Sequence, residues 1–283
     1  MVKNNFKFLL VQGRTLPQIG EQLQYFPNNW KEEFPLIRKL GFSGIEWIYD
    51  VFSENFNPIM NTSGRDEIFE LSNQYNVNLE NIVFDWFMTY PLLTNEGLSI
   101  NDKIKKLKTL IHISSELKFK RIIFPILEKN NIATKSKQEK FIKIFREQVL
   151  DELNSYNIEI NLETSLTGNE ELFVLEQLNH DKVKLCFDMG NSASYGYEPY
   201  ETISKISPYL SSVHIKDRER NGGSVSLGTG NVEFKQVFQA LKNTKFNGPI
   251  SFQVFRNKNS DNVKVLQNAF TFINSVMNKV SVE

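Results

Sequence analysis

Short apolar runs alternate along the chain with longer stretches in which apolar residues recur at three- and four-residue steps. The runs are KFLLVQ, GIEWIY, ENIVFDWF, RIIFPIL, IEINLET, VKLCFDM, SSVHIKD and PISFQVF. Their β-branched and aromatic content and their brevity favour strand over helix. Between them, NDKIKKLKTLIHISSELK, KQEKFIKIFREQVLDELNSY and EFKQVFQALKNT carry helical spacing, and DNVKVLQNAFTFINSVMNKV follows the last run. Eight strands alternating with helical stretches predict an α/β protein of the (β/α)8 TIM barrel type. No linker, low-complexity block or shift in composition divides residues 1–283, so one barrel domain is expected. An open doubly wound sheet is the alternative, but VQGRTLPQIG after the first run lacks the glycine spacing of a dinucleotide fingerprint.

Composition narrows the function classes. The 283 residues suit a barrel, typically about 250 residues. Hydrophobic residues make up 40%, with 23 Phe, enough for a large core. Lys+Arg and Asp+Glu are both 33, so no basic excess argues for nucleic acid, and none is expected as a partner. A single cysteine, Cys186, excludes an intramolecular disulfide and fits a reducing cytoplasm. The start, MVKNNFKFLLVQGR, has too short an apolar run for a signal peptide, and no stretch approaches a membrane span. A cytoplasmic protein without membrane contact is expected; its oligomeric state is left open.

Active sites of such barrels sit at the C-terminal ends of the strands. Those ends read Gln12, Glu46, Asp85, Leu127, Glu163, Asp188, His214 and Gln253. The last four, on consecutive strands, are all oxygen or imidazole donors suited to one divalent cation. Alternation puts Asn161, Cys186 and Ser212 on the same faces as Glu163, Asp188 and His214, small or polar companions fit for a pocket. Asp188, in FDMGN, also reads as an ordinary turn residue; its companions on the neighbouring strands argue for metal.

NLETS, CFDMGN, SVHIKDR and LGTGNVEF, in this order and spacing, resemble the xylose isomerase-like TIM barrels, often described as sugar phosphate isomerases/epimerases. GFSGIEW and GPISFQVFR are similar to that family's second and last strands, so the resemblance runs the whole chain. It implies metal ligands at Glu163, Asp188, His214 and the eighth-strand position, with Asp188 opening the Asp-x-Gly-Asn motif that ends in Asn191. At the eighth strand this chain has Gln253 where most characterised members have Glu.

Three oxygen donors and one imidazole suit manganese or magnesium, with cobalt or zinc tolerated. A multi-zinc site would need several histidines, and the chain has three in all. His112 lies inside a predicted helix and His180 at the end of another, both structural readings. A cation that polarises a carbonyl and an adjacent hydroxyl acidifies the neighbouring C–H, and a carboxylate in reach removes the proton to give an enediolate. Glu163 is the expected base, and Asp85 is the candidate second acid/base group or simply a strand-end cap. A small sugar or sugar phosphate is the expected substrate, isomerised or epimerised without organic cofactor. Arg14, Glu46, Asn191, Lys216, Arg218 and Arg256 are candidate substrate-binding residues. Trp47 and Trp86 either wall the pocket or pack outward, and LGTGN is a lid or a plain turn. The alternative function is a metal-binding relative with hydrolytic, dehydratase or no activity, because an amide at Gln253 cannot act as a base.

Overall fold

A computed structural model describes residues 6–16, 24–256 and 261–282. The first five residues of the N-terminal stretch, and the part of VQGRTLPQIG from Pro17 onward, lie outside the described residues. Eight parallel strands close into a barrel: β1 (Lys7–Val11), β2 (Gly44–Ile48), β3 (Asn78–Val83), β4 (Arg121–Ile126), β5 (Glu159–Thr164), β6 (Val183–Asp188), β7 (Leu210–Ile215) and β8 (Pro249–Phe252). β1 pairs with β8 through Lys7↔Pro249 to Leu10↔Phe252, which leaves the barrel sheet without an edge. Each expected strand is present. ENIVFDWF is the least well bounded: the strand ends at Val83, and Trp86–Thr89 already forms a helical turn.

Alternation sorts the side chains of the later strands. Ile160, Leu162, Leu185, Phe187, Val213, Ile215, Ile250 and Phe252 point outward into one continuous core shared with the surrounding helices. The opposite face carries Asn161, Glu163, Cys186, Asp188, Ser212, His214, Ser251 and Gln253, all buried within the barrel or at its mouth. A small interior cluster of Val83, Ile123 and Cys186 is separate from the outer core. Trp47 packs outward among Phe26, Trp30 and Phe34. Trp86 packs against Tyr90 with the rings tilted by 42° and donates Nε1–H to Glu54. Neither indole walls the pocket.

The helices follow the expected positions, and several carry side-chain caps. Ser99 accepts from Asp102 N–H at the start of the helix Ile100–Glu116, and Thr167 with Glu170 forms a capping box for Gly168–Leu178. KQEKFIKIFREQVLDELNSY divides into two helices at Val149, Lys135–Gln148 and Leu150–Asn154. No helix among the described residues is long and apolar enough to cross a membrane.

Candidate metal centre

β6 ends on Asp188, which serves as a helix cap through one carboxylate oxygen and leaves the other facing the neighbouring strands. Oδ1 accepts from Asn191 N–H at 2.7 Å and caps the helix Met189–Tyr195. Oδ2 is buried and has no hydrogen-bond partner among the described residues. The pairing Asp188↔His214 brings the two side chains together across β6 and β7. His214 Nδ1 lies 3.8 Å from Asp188 Oδ2 and 3.8 Å from Glu163 Oε2. One donor atom from each of Glu163, Asp188 and His214 lies within 4.8 Å of the others, and all three residues are buried.

The other face of the imidazole is also specified. Nε2 is 2.9 Å from Glu46 Oε1, and Glu46 Oε2 accepts from Asn81 and Ser251. β2 continues to Ile48, so Glu46 sits inside the barrel beneath the rim rather than at the strand end. There its carboxylate stands at ion-pair distance from Nε2, on the side of the ring away from Nδ1 and the other carboxylates. Glu46 is wholly buried and does not line the cavity.

Crowding acids in a buried place shifts their protonation. Burial pushes Glu163 up to about 7, against the pull of His214. Burial works against ionised Asp188 too, but Lys216 and His214 outweigh it and hold that carboxyl at about 2. His214 is raised well above an ordinary imidazole: burial opposes this, but Cys186, Glu46 and Asp188 prevail. Orphaned Asp188 Oδ2 and His214 Nδ1, hard carboxylate oxygens and an oriented imidazole fit a divalent cation.

These groups sit beside a cavity of about 270 Å³ lined by Asp50, Phe52, Asp85, Glu163, Lys216 and Gln253 among others. That is below the roughly 300–1,000 Å³ of drug-sized ligand sites, and suits a small polar molecule. Lys216 Nζ stands 3.6 Å from Asp188 Oδ2 and 3.2 Å from Gln253 Oε1. Gly190 permits its approach, since a Cβ there would meet Lys216 Cγ at 2.9 Å. Asn191 donates to Glu163 Oε1 at 3.0 Å and accepts from Arg218 Nη1 at 2.8 Å. Arg218 is further tied to Gly222 O through Nε and Nη2. Asp85 borders the cavity and accepts from Gln24 Nε2 at 2.6 Å; burial pushes it up to about 6.

Arg14 and Arg256 are placed elsewhere. Arg256 is buried against Tyr25, donating to the carbonyls of Gly13 and Leu16. Arg14 is buried beside it, and burial with the neighbouring Arg256 lowers it to about 9. Neither is among the residues lining the cavity. His112 pairs with Glu116 on an exposed helix face, and His180 contacts Asn154, as structural readings of both require. LGTGN is pinned: the buried carboxylate of Asp217 accepts from Gly228, Gly230 and Val232 N–H at 2.8 to 3.1 Å. A Cβ at Gly230 would meet Asp217 Oδ1 at 2.3 Å, so glycine is needed for the clamp. Gln24, Asp50, Phe52 and Tyr195 also line the cavity, though no periodicity or strand-end position marks them in the sequence.

A closed (β/α)8 barrel with buried carboxylate and imidazole donors gathered at its mouth defines a barrel with a candidate metal centre. Residues 34–276 match the xylose isomerase-like TIM barrel, and the chain belongs to that family. An L-ribulose 3-epimerase of Methylomonas sp. (strain DH-1) is 33% identical over 89 residues, 31% of this chain and 30% of that protein. The match thus spans less than a third of that relative. A xylose isomerase domain protein from Planctomyces limnophilus superposes with TM-score 0.76 at 16% identity, covering 98% of this chain and 99% of that one. A xylose isomerase-like TIM barrel protein from Mycobacterium smegmatis in complex with magnesium does so with TM-score 0.66 at 16% identity, covering 96% and 97%. Both structural likenesses establish the fold.

Proposed function

We propose that this chain is a divalent-metal-dependent isomerase or epimerase of a small ketose. The observation that carries the reading is the set of three buried donor atoms within 4.8 Å at the barrel mouth, beside a small polar cavity. Glu163, Asp188 and His214 would hold the ion with the amide oxygen of Gln253, and manganese or magnesium suits these donors best. When bound, the ion supplies polarisation of a carbonyl and its adjacent hydroxyl, which acidifies the C–H between them.

The chain's own groups do the rest. Glu163 borders the cavity and is the carboxylate placed to remove the proton, and its Oε1 accepts from Asn191. Gln253 can accept a hydrogen bond or ligate but cannot take a proton. The second face of the enediolate then falls to Asp85, whose carboxyl at about 6 can give or take a proton. Lys216 and Arg218 are the cations bordering the cavity and serve the substrate's oxygens. The epimerase relative and the magnesium-bound neighbour support this reading.

The test is a metal titration of apo-protein together with a ketose panel in deuterated water. The expected outcome is one ion per chain and exchange of the α-hydrogen on at least one ketose. Asp188→Ala should lower metal affinity by more than the 10–100-fold typical of changes one shell further out. Stoichiometric metal with no exchange on any ketose would instead favour the relative without proton-transfer chemistry that Gln253 suggests. Unchanged metal affinity in Asp188→Ala would leave Asp188 a cap alone.

A further inference from the structure

Gln253 raises a problem that a glutamate at the same place would not. A carboxylate offers equivalent oxygens, but an amide offers an oxygen on one side and an NH2 on the other, and only the oxygen ligates a cation. Something must decide which side faces the metal centre.

Gln253 Nε2 donates to Gln24 Oε1 at 2.6 Å, and Gln24 Nε2 donates to Asp85 Oδ2 at 2.6 Å. At the other end Lys216 Nζ donates to Gln253 Oε1 at 3.2 Å, and the same ammonium stands 3.6 Å from Asp188 Oδ2. Arg14 Nη2 reaches Gln24 Oε1 at 3.4 Å. The amides could point either way in isolation, but their neighbours could not. Lys and Arg only donate, and a carboxylate only accepts. Arg14 and Asp85 each demand that Gln24 turn its oxygen toward Gln253. Lys216 demands that Gln253 turn its oxygen toward the ammonium that also stands beside Asp188. All hydrogen bonds in the chain then run in one direction.

We infer that Gln24 is a positioning residue, holding the NH2 of Gln253 so that its amide oxygen faces the metal centre. The inference rests on the metal-site reading above and adds what the amide at the eighth strand requires. Gln24 needs no contact with ion or substrate to do this. Its loop follows β1, on the far side of the mouth from β5 and β6 in the strand order. A partner that orients a ligand is usually worth about 10–100-fold in metal affinity.

A double-mutant cycle on apo-protein, read by calorimetric titration with Mn2+, tests it. Gln24→Met keeps the bulk of the side chain and removes its polar atoms. In the native background it should weaken Mn2+ binding about tenfold. In a Gln253→Glu background, where no orientation is needed, it should cost nothing. Circular dichroism checks that each variant is folded, and Gln24→Ala carries the same comparison if Gln24→Met does not fold. Equal losses in both backgrounds, or no loss in either, overturn the inference and leave the metal reading standing. Absence of Mn2+ binding by the native chain overturns the metal reading, and the inference with it.

Discussion

Glu163 and Glu171 are both buried glutamates that burial pushes up to about 7, yet they sit in unlike places. Glu171 lies on the helix after β5, and its Oε1 accepts from Thr164 Oγ1 at 2.7 Å. Glu170 is the charge that acts on it, and it does not border the cavity at the barrel mouth. Glu163 faces His214, Asp188 and Lys216 and opens onto that cavity. A raised carboxyl therefore does not identify a base by itself. What separates the two is the company: opposite charges, an orphaned ligand atom and room for a substrate on one side, a satisfied hydroxyl on the other.

The largest expected contrast between them is catalytic. Glu163→Gln should reduce α-hydrogen exchange in deuterated water by about 10²–10⁴-fold, the usual contribution of a general base. Glu171→Gln should leave the exchange rate near native. Comparable losses in the two variants would erase the distinction drawn here.

Stability should separate them next. The folded protein favours protonated Glu171, so its contribution is fully present below about 4.5 and is lost as pH rises through about 7. Gln at this position can still accept from Thr164 but carries no charge to bury. Glu171→Gln should therefore be more stable than native at pH 8, by at most about 3 kcal/mol, and show no gain near pH 4.5. Urea unfolding at the two pH values checks this; an equal effect at both would mean that the carboxyl is not held protonated.

A smaller effect sharpens the account of what surrounds Glu163. Glu46→Gln keeps the packing beneath His214 but removes the charge at 2.9 Å from Nε2. Metal affinity should fall about tenfold without loss of the fold, as for other partners of a ligating histidine. Native affinity in that variant would reduce Glu46 to interior packing.

The barrel was legible in the sequence because each strand is a short apolar run and each helix has its own period. The four donors on β5 to β8 were legible for a related reason: strand alternation turns a linear spacing into a shared face. Glu46 was visible as a residue but misplaced in depth, because the apolar run GIEWIY does not say where the pairing with β3 stops. Arg14 and Arg256 read as substrate-facing charges. In the fold neither lines the cavity: Arg256 donates to carbonyls of the segment after β1, and Arg14 is buried beside it and reaches Gln24. Gln24 carried no signal, since an isolated glutamine in a connecting segment gains its meaning only from Gln253 and Asp85, which are far away in sequence.

The Asp217 clamp has a consequence for how molecules reach the site. Three surface-loop amides bound to one buried carboxylate should exchange with solvent as slowly as core amides, because opening them strands an anion away from water. The segment after β7 is then a fixed doorpost. Across the cavity from it Phe52, 68% exposed, stands on the connection after β2.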